Sequence, residues 1–341
     1  MHKHLDKTVS LGHGSGGKLS HELISGLFVK YFNNEILGSQ TDSAILQMKS
    51  ENLAFTTDSF VVDPIFFPGG DIGKLAVCGT VNDLAVSGAK PYCLSASFII
   101  EEGFEMVKLE QIVKSMAEES GKAGILIVTG DTKVVDHGKC DKVFINTAGI
   151  GVLEKDHVHI SSAKHVNPGD KIIVNGPVGE HGVAILAARE SLSFELQIDS
   201  DCACLNHMIS EMISRFEQVN FMRDATRGGL ATVMCELAEQ KNLGIKLDET
   251  HIPIREKVKG TCEIFGFDPL YMANEGKVVM VTGIDVADDI VRFLQNHPLG
   301  KNSAIIGEIV SDHPGKVVLQ TEVGGKRIID MLAGEQLPRI C

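Results

Sequence analysis

The order of strand-like and helix-like segments restarts part-way along this chain. Residues 52–153 alternate short β-branched or apolar runs with longer helical ones, and AKHVNPGD at 163–170 then has the composition of a linker and a turn. A second alternation begins with KIIVNGP and ends with KVVLQT. A chain of 341 residues is also longer than one hydrophobic core usually serves. The sequence therefore predicts two α+β domains joined near residue 165.

Four segments follow from this pattern. We predict a glycine-rich arm with one helix over residues 1–40, an N-terminal domain over 41–160, a C-terminal domain over 165–325 and a mobile tail over 326–341. Trp is absent and aromatic residues make up 5%, while there are 35 glycines. The cores should therefore be built from Val, Ile, Leu and Ala, with many tight turns.

The net charge of the chain disfavours some classes of binding partner. The formal net charge of −13 disfavours nucleic acid and anionic membranes, which reward clustered Lys and Arg, but it does not disfavour nucleotides. No apolar run reaches the ~18–20 residues of a membrane span, and the first ten residues lack the apolar core of a signal peptide. We expect a cytoplasmic protein whose eight cysteines are mostly reduced. Cys202 and Cys204 form a CxC, which alone is a weak metal signal, and we interpret them as two cysteines near a helix start.

The glycine-rich arm reads LGHGSGGKLSHELI at residues 11–24. It fits the spacing G-x4-G-K, but Leu19 stands where a P-loop needs Ser or Thr for Mg²⁺, and there is no room for the preceding strand. We therefore reject a P-loop. Two interpretations remain open: an anion site at a helix N-terminus, formed by Gly14, Gly16, Gly17 and Lys18, or a mobile arm that caps a helix.

Five aspartates lie beside small residues in stretches that we predict to be strand ends or polar loops: Asp42, Asp58, Asp83, Asp131 and Asp224. Carboxylate oxygens are what Mg²⁺ needs when it bridges a protein to nucleotide phosphates. Any single aspartate of this kind is more often a turn or cap residue. The set predicts a magnesium site only if the five converge, which spacing alone does not show.

Four further residues have chemistry that an active site can use. Arg227 precedes two glycines and a helix, which suits phosphate binding or, equally, an exposed helix start. Lys133 and Glu275 are candidate general acids or bases if they are buried and paired, and surface charges otherwise. Cys341 is the last residue, so it lies outside any packed element, and a CaaX prenylation signal is excluded because that cysteine would be fourth from the end.

These stretches together resemble a known group of enzymes. GHGSGGK, TTDS, GTVNDLAVSGAKP, VTGDTKVV, MRDATRGGL and NEGK occur in the order seen in the ATP-using superfamily of aminoimidazole ribonucleotide synthetase and selenophosphate synthetase. The terminal LPRIC narrows the resemblance to the HypE family of carbamoyl dehydratases. It covers the chain from about residue 10 to residue 341.

The resemblance implies a homodimer whose N-terminal sheets pair into a barrel, with ATP bound nearby. It assigns the five aspartates to the Mg²⁺–ATP site, folds the glycine arm over the phosphates, and makes Asn82, Thr226 and Arg227 further ligands. Lys133 and Glu275 match the family's proton relay, and which of them is the base stays open.

The resemblance also implies the chemistry of Cys341. The carbamoyltransferase HypF loads its thiol with a carbamoyl group, ATP phosphorylates the carbamoyl oxygen, and loss of phosphate leaves a thiocyanate. The cyano group then passes to iron on the HypC–HypD complex for [NiFe] hydrogenase. The alternatives are another ATP-using enzyme of the superfamily, or a thiol carrier without catalysis. Residues 334–341 can extend about 25 Å, so we expect one tail position in solvent and one near ATP.

Overall fold

The computed structural model describes residues 7–15, 18–38, 44, 46–47, 52–190, 198–331, 334, 337 and 339–341. Three short helices follow the arm: α1 (Lys18–Leu23), α2 (Val29–Phe32) and α3 (Glu35–Gly38). A π-helical turn at Ile24–Phe28 joins the first two. The single helix predicted over 18–31 is therefore a helical segment with one irregular turn.

The N-terminal domain contains a four-stranded sheet and two long helices. The strands are β1 (Asn52–Phe60), β4 (Ala89–Glu101), β5 (Leu126–Val135) and β6 (Val143–Leu153), in the order β1-β6-β4-β5. A small hairpin is formed by β2 (Phe66–Phe67) and β3 (Gly70–Asp71). The helices are α4 (Ile72–Val86) and α5 (Met106–Ala123). Asp71 caps α4, because its side chain accepts hydrogen bonds from the amides of Gly73 and Lys74.

One face of this sheet packs on α4 and α5, and the opposite face is open. Phe60 and Phe98 lie fully buried in the core below the sheet. On the opposite face the side chains of Leu53 and Phe55 are 51% and 71% exposed, and Ile99 and Leu126 are each 45% exposed. An apolar sheet face of this kind is what a second copy of the domain would cover.

The C-terminal domain contains a seven-stranded sheet in the order β13-β12-β9-β11-β7-β10-β8. Its strands are β7 (Lys171–Val174), β8 (Val219–Asp224), β9 (Gly244–Asp248), β10 (Val278–Thr282), β11 (Ala304–Val310), β12 (Val317–Gln320) and β13 (Lys326–Ile329). Its helices are α6 (Glu180–Arg189), α7 (Asn206–Arg215), α8 (Gly229–Lys241), α9 (Glu256–Phe265) and α10 (Ala287–Gln295).

Both faces of this sheet are covered by helices. Ile172 and Val174 on β7 pack into one core with residues of α8, while Ile173 packs into a second core with residues of α7 and α10. All five residues of β10 are buried, as expected for a central strand covered on both sides. Because β13 pairs with β12, the chain leaves the sheet after Ile329, later than the predicted tail boundary at 326.

The two domains meet along α4. Asn82 on this helix donates to the backbone oxygens of Ala203 and Glu275 and accepts from the amide of Leu205. One amide side chain of the N-terminal domain thereby holds two segments of the C-terminal half. Among the helices that the structure describes, none combines the length and apolar character needed to cross a bilayer.

Candidate active site

Three of the predicted aspartates meet at the contact between the domains. Asp58 comes from β1, Asp83 from α4 and Asp224 from the end of β8. Burial and the nearby charge of Asp58 raise the pKa of Asp83, while Thr56 Oγ1 donates to its Oδ2 at 2.8 Å. Burial and the charge of Asp83 raise the pKa of Asp224 to about 7. The three carboxylates are therefore close enough to oppose one another's ionisation.

Such a group of carboxylates suits a divalent cation. They are half-buried and share excess negative charge, and the pKa of Asp58 is raised by burial while the nearby Arg227 acts in the opposite direction. Hard oxygen ligands of this kind fit Mg²⁺, which would relieve the repulsion among them. Asp58 lies near the end of β1, as predicted, whereas Asp83 lies inside α4 and not at a strand end or in a loop. Tertiary packing, which the local pattern does not encode, brings them together.

Glu275 lies beside this group in the loop before β10. The residue is 3% exposed, and its Oε1 has no hydrogen-bond partner. Burial, followed by the negative charges of Cys202 and Asp201, raises its pKa well above the usual value. A buried, unpartnered carboxyl group with a raised pKa has the properties of a general base or acid that works near neutrality.

Asp201 holds the loop that carries Glu275 through hydrogen bonds. The Asp201 carboxylate accepts from the amides of Glu275 and Gly276 at 3.1 and 3.2 Å and from Lys277 Nζ at 2.8 Å. Burial opposes its ionisation, but Lys277 holds the pKa of Asp201 below the usual value. Asp201 is a positioning residue that the sequence did not reveal, because nothing near it in the chain marks an interaction with a loop 74 residues away.

The last residue of the chain occupies this site. Cys341 is 8% exposed and packs in the N-terminal core, so the expectation that it lies outside any packed element is wrong. Burial and then the charge of Glu275 raise the pKa of its thiol to about 12, and Arg227 acts in the opposite direction. Arg227 and Cys341 also line one cavity of about 390 Å³, together with Val61, Ala273 and Leu337. The thiol, the candidate base and the aspartates therefore share one site.

Main-chain hydrogen bonds hold the tail in place. The amide of Val61 donates to the Cys341 oxygen at 3.0 Å, and the amide of Asp63 donates to the Arg339 oxygen at 3.2 Å. Arg189 also donates to the Arg339 oxygen, at 2.5 Å. The Arg339 guanidinium binds the oxygen of Val61 in return, at 3.0 Å.

His181 completes the contact with the tail. Its Nε2 lies 2.8 Å from the Ile340 oxygen, which can only accept, and its Nδ1 lies 2.8 Å from Ser200 Oγ. Burial lowers the pKa of His181 and so keeps the ring neutral. The tautomer is thereby fixed: Nε2 donates to the tail and Nδ1 accepts from Ser200. His181 gave no signal in the sequence, since its partner is 159 residues away.

We predict that His181→Ala releases the tail. The variant leaves a buried carbonyl and a buried hydroxyl unpaired, at a cost of about 1–3 kcal/mol, so alkylation of Cys341 by iodoacetamide at pH 8 should speed up at least tenfold. Burial in the docked tail raises the pKa of the Cys341 thiol to about 12, whereas a free thiol has a pKa of about 8.5. Docking should therefore not depend on pH below about 8.5, and it should weaken as the pH rises from there toward 12. Mass spectrometry of the C-terminal peptide measures the rate. The matched control is His207→Ala, which removes another histidine bonded to a carbonyl; equal rates in both variants would contradict this assignment.

Asp131 and Lys133 lie elsewhere. Both are within β5, not in a loop after it, and they form an exposed ion pair of 2.7 Å. In the sheet register, Asp131 on β5 pairs with Ser97 on β4, which pairs with Asn146 on β6, which pairs with Ser59 on β1. Three strand spacings, or about 14 Å, therefore separate β5 from β1. Within one chain the structure does not bring these two residues to the aspartates.

The glycine arm packs against β5. Gly14 touches Val134 so closely that a Cβ would lie 2.4 Å from the Val134 amide nitrogen. A cavity of about 190 Å³ separates the arm from Asp131 and Lys133. Lys18 is the first residue of α1, and Thr226 lies in the turn before α8, where its oxygen accepts from Gly229. Gly16, Gly17 and Asp42 lie outside the described residues.

Comparison with known proteins agrees with this geometry. The family models of AIR synthase related protein match residues 40–153 (N-terminal domain) and 167–320 (C-terminal domain). The carbamoyl dehydratase HypE of Rhodobacter capsulatus is 48% identical over 338 residues, covering 98% of this chain and 99% of that protein. The chain belongs to the HypE family of carbamoyl dehydratases.

Solved structures of the HypE family share the fold. A crystal structure of HypE in complex with ATP has a TM-score of 0.94 and 46% identity, covering 98% of this chain and 100% of the other. The HypE chain of a HypE–HypF complex has a TM-score of 0.79 and 46% identity, covering 93% and 100%. The predicted family and the two domains of AIR synthase type are confirmed.

Proposed function

We propose that this protein dehydrates a carbamoyl group carried on its own Cys341, using ATP, and so supplies cyanide for the maturation of [NiFe] hydrogenase. The observation that carries the proposal is the position of the buried Cys341 thiol in one site with Glu275, Arg227, Asp58 and Asp224. Family membership supports the same reaction.

The reaction needs two chemical steps. The carbamoyl oxygen of Cys341–S–C(=O)NH2 attacks the γ-phosphorus of ATP and ADP leaves, which converts a poor leaving group into phosphate. The nitrogen then loses its protons as the C–O bond breaks and phosphate departs, leaving Cys341–S–C≡N. Elimination requires a base close to the carbamoyl nitrogen, and Glu275 is the buried carboxyl group whose charge acts most strongly on the Cys341 thiol.

The charged side chains of the site suit the binding of ATP together with Mg²⁺. Asp58, Asp83 and Asp224 would hold Mg²⁺, which neutralises phosphate charge during the transfer. Arg227 supplies a guanidinium at the mouth of the same cavity. Asn82 has its amide atoms committed to the backbone around Ala203 and Glu275, so its part in the reaction would be to fix the loop of Glu275.

The site is completed in a homodimer. The open apolar face around Phe55 would be covered by a second copy of the sheet, closing a barrel. The symmetry would bring the β5 edge of one chain to the β1 edge of the other, so that Asp131, Lys133 and the glycine arm of one chain serve the aspartates of its partner. A dimer of this kind would explain why Asp131 and Lys133, which match motifs of the family, lie three strands away from Asp58 within one chain.

Partners must reach the thiol, so the tail must also leave this site. We propose HypF as the carbamoyl donor and the HypC–HypD complex as the cyanide acceptor, both in the cytoplasm. A solved complex of HypE with HypF supports the first. The contacts of residues 339–341 support a tail position at the candidate active site, and the two positions that we expect stay a prediction.

The test of this function follows the mass of the C-terminal peptide. We expect protein carbamoylated on Cys341 to lose the mass of one water when Mg²⁺–ATP is added and to keep its mass without ATP, while Cys341→Ser carries no adduct. An adduct that persists unchanged with ATP would instead support the thiol carrier. ATP consumed equally by the wild-type and Cys341→Ser proteins would support a small-molecule kinase.

A further inference from the structure

A second cluster of reactive side chains lies behind the candidate active site. Cys78 comes from α4, Glu119 from α5 and Cys204 from the segment before α7. One ligand atom of each lies within 4.8 Å of the other two. The sulfur atoms of Cys78 and Cys204 are 3.6 Å apart, and Glu119 is 7% exposed.

A third thiol lies beside the cluster. The Cys204 thiol donates to the Cys78 sulfur, and the Cys202 side chain is a further neighbour of Cys78. Cys78 and Cys202 are buried, whereas Cys204 is partly exposed and opens the cluster to solvent. Two thiols and one buried carboxylate therefore come together from three separate segments of the chain, with the Cys202 thiol as a neighbour.

Both the spacing and the ligand chemistry fit a tetrahedral thiolate site. Two sulfurs bound to Zn²⁺ at ~2.3 Å stand about 3.8 Å apart, close to the observed Sγ–Sγ separation, whereas a disulfide needs about 2.05 Å. Soft thiolates select Zn²⁺ over Mg²⁺. We propose that Cys78, Cys204 and Glu119 bind a thiophilic divalent cation such as Zn²⁺, with the fourth position open to a water molecule on the partly exposed side of Cys204.

The second carboxylate oxygen of Glu119 supports this assignment. Lys122 Nζ donates to Glu119 Oε2 at 3.0 Å, which orients the carboxylate and leaves Oε1 for the cluster. A basic residue that holds a ligating carboxylate is typical of the surroundings of a metal site. This cluster is chemically distinct from the aspartate group, which offers only oxygen ligands.

A cation in this position would join the two domains. Cys78 and Glu119 belong to the N-terminal domain, and Cys202 and Cys204 to the C-terminal half. Asn82, one turn after Cys78 on α4, binds the oxygen of Ala203, which lies between the two other cysteines, and the oxygen of Glu275. The cation would thus stabilise the segment that positions Glu275, and binding should raise the thermal unfolding temperature of the whole chain.

The experiment measures zinc binding by the full-length protein after removal of metals with a chelator. The Cys341→Ala background removes the terminal thiol, and excess Mg²⁺ occupies the aspartate group. We expect one Zn²⁺ per chain in competition with a chromophoric chelator, and a thiolate-to-metal charge-transfer band when Co²⁺ replaces it. Cys204→Ser should weaken binding at least tenfold, and Glu119→Gln should weaken binding but keep the band. The matched control Cys140→Ser, another partly exposed cysteine, should change neither.

Three results would overturn the proposal. The first is zinc binding that Cys204→Ser and Glu119→Gln leave unchanged. The second is the absence of binding by wild-type protein whose circular dichroism shows it to be folded. The third is a Cys78–Cys204 disulfide, seen as the loss of two hydrogens in the protein as isolated, which would make the pair redox-active and not a metal site.

Discussion

Glu275→Gln is expected to slow ATP-dependent dehydration by about 10²–10⁴-fold, the range that general base catalysis usually contributes. Glutamine keeps the size of the buried side chain but cannot accept a proton. In the wild type the pKa of Glu275 is raised by burial and neighbouring charges, so the rate should fall as pH drops through a value above the usual range for glutamate. The variant should show a low rate without this dependence, measured as the conversion of carbamoylated to cyanated C-terminal peptide.

The control for this prediction is Glu263→Gln, an exposed glutamate of α9, which should react at the wild-type rate. ATP binding by Glu275→Gln should also be retained, because the change concerns the proton and not the phosphates. A variant within threefold of the wild-type rate, or one whose defect lies wholly in ATP binding, would remove Glu275 from the role of base.

Mixing two inactive variants is expected to restore activity. Lys133→Ala and Asp224→Asn should each abolish turnover alone if Lys133 serves the aspartates of the partner chain. In a mixed dimer one site carries both changes and the other carries neither, so random pairing restores roughly a quarter of the wild-type activity. The measurement is turnover after co-refolding equal amounts of the two chains.

A matched pair makes this test specific. Asp224 and Glu275 belong to the same site of the same chain, so mixing Asp224→Asn with Glu275→Gln places one change in each site and should restore nothing. Equal recovery from both mixtures, or no recovery from the first, would place Lys133 in the site of its own chain or outside the reaction.

Local patterns in the sequence were enough to predict the elements and the residue types of the site. The alternation of strand-like and helix-like runs over residues 52–153 predicted a domain that mixes strands with helices, and the restart of the pattern near 165 predicted two domains. They could not give the convergence of Asp58 with Asp224, because β1 and β8 belong to different domains and each packs against α4. The same limit applies to Lys133, whose position three strands from β1 depends on strand order.

The thiol cluster illustrates the limit most clearly. Cys202 and Cys204 were interpreted as two cysteines near a helix start, and that interpretation considered only their immediate neighbours. Cys78 lies 126 residues before Cys204 and reaches it through packing of α4 against the segment before α7. Residues that act through backbone contacts, such as His181 and Asp201, leave no pattern in the sequence because any residue can supply the carbonyl or amide that they bind.

The hydrogen bonds that hold the tail bear on how the group on Cys341 is passed to another protein. Each hydrogen bond described for Arg339, Ile340 and Cys341 with Val61, Asp63 and His181 involves a backbone group of the tail or of β1 and its extension, and none involves the sulfur. These hydrogen bonds therefore recognise a peptide strand and do not depend on whether its thiol is free, carbamoylated or cyanated. Transfer of the group on Cys341 can then take place by exchange of strand partners. An acceptor protein that presents a competing β-strand edge can bind the tail peptide whatever group its thiol carries.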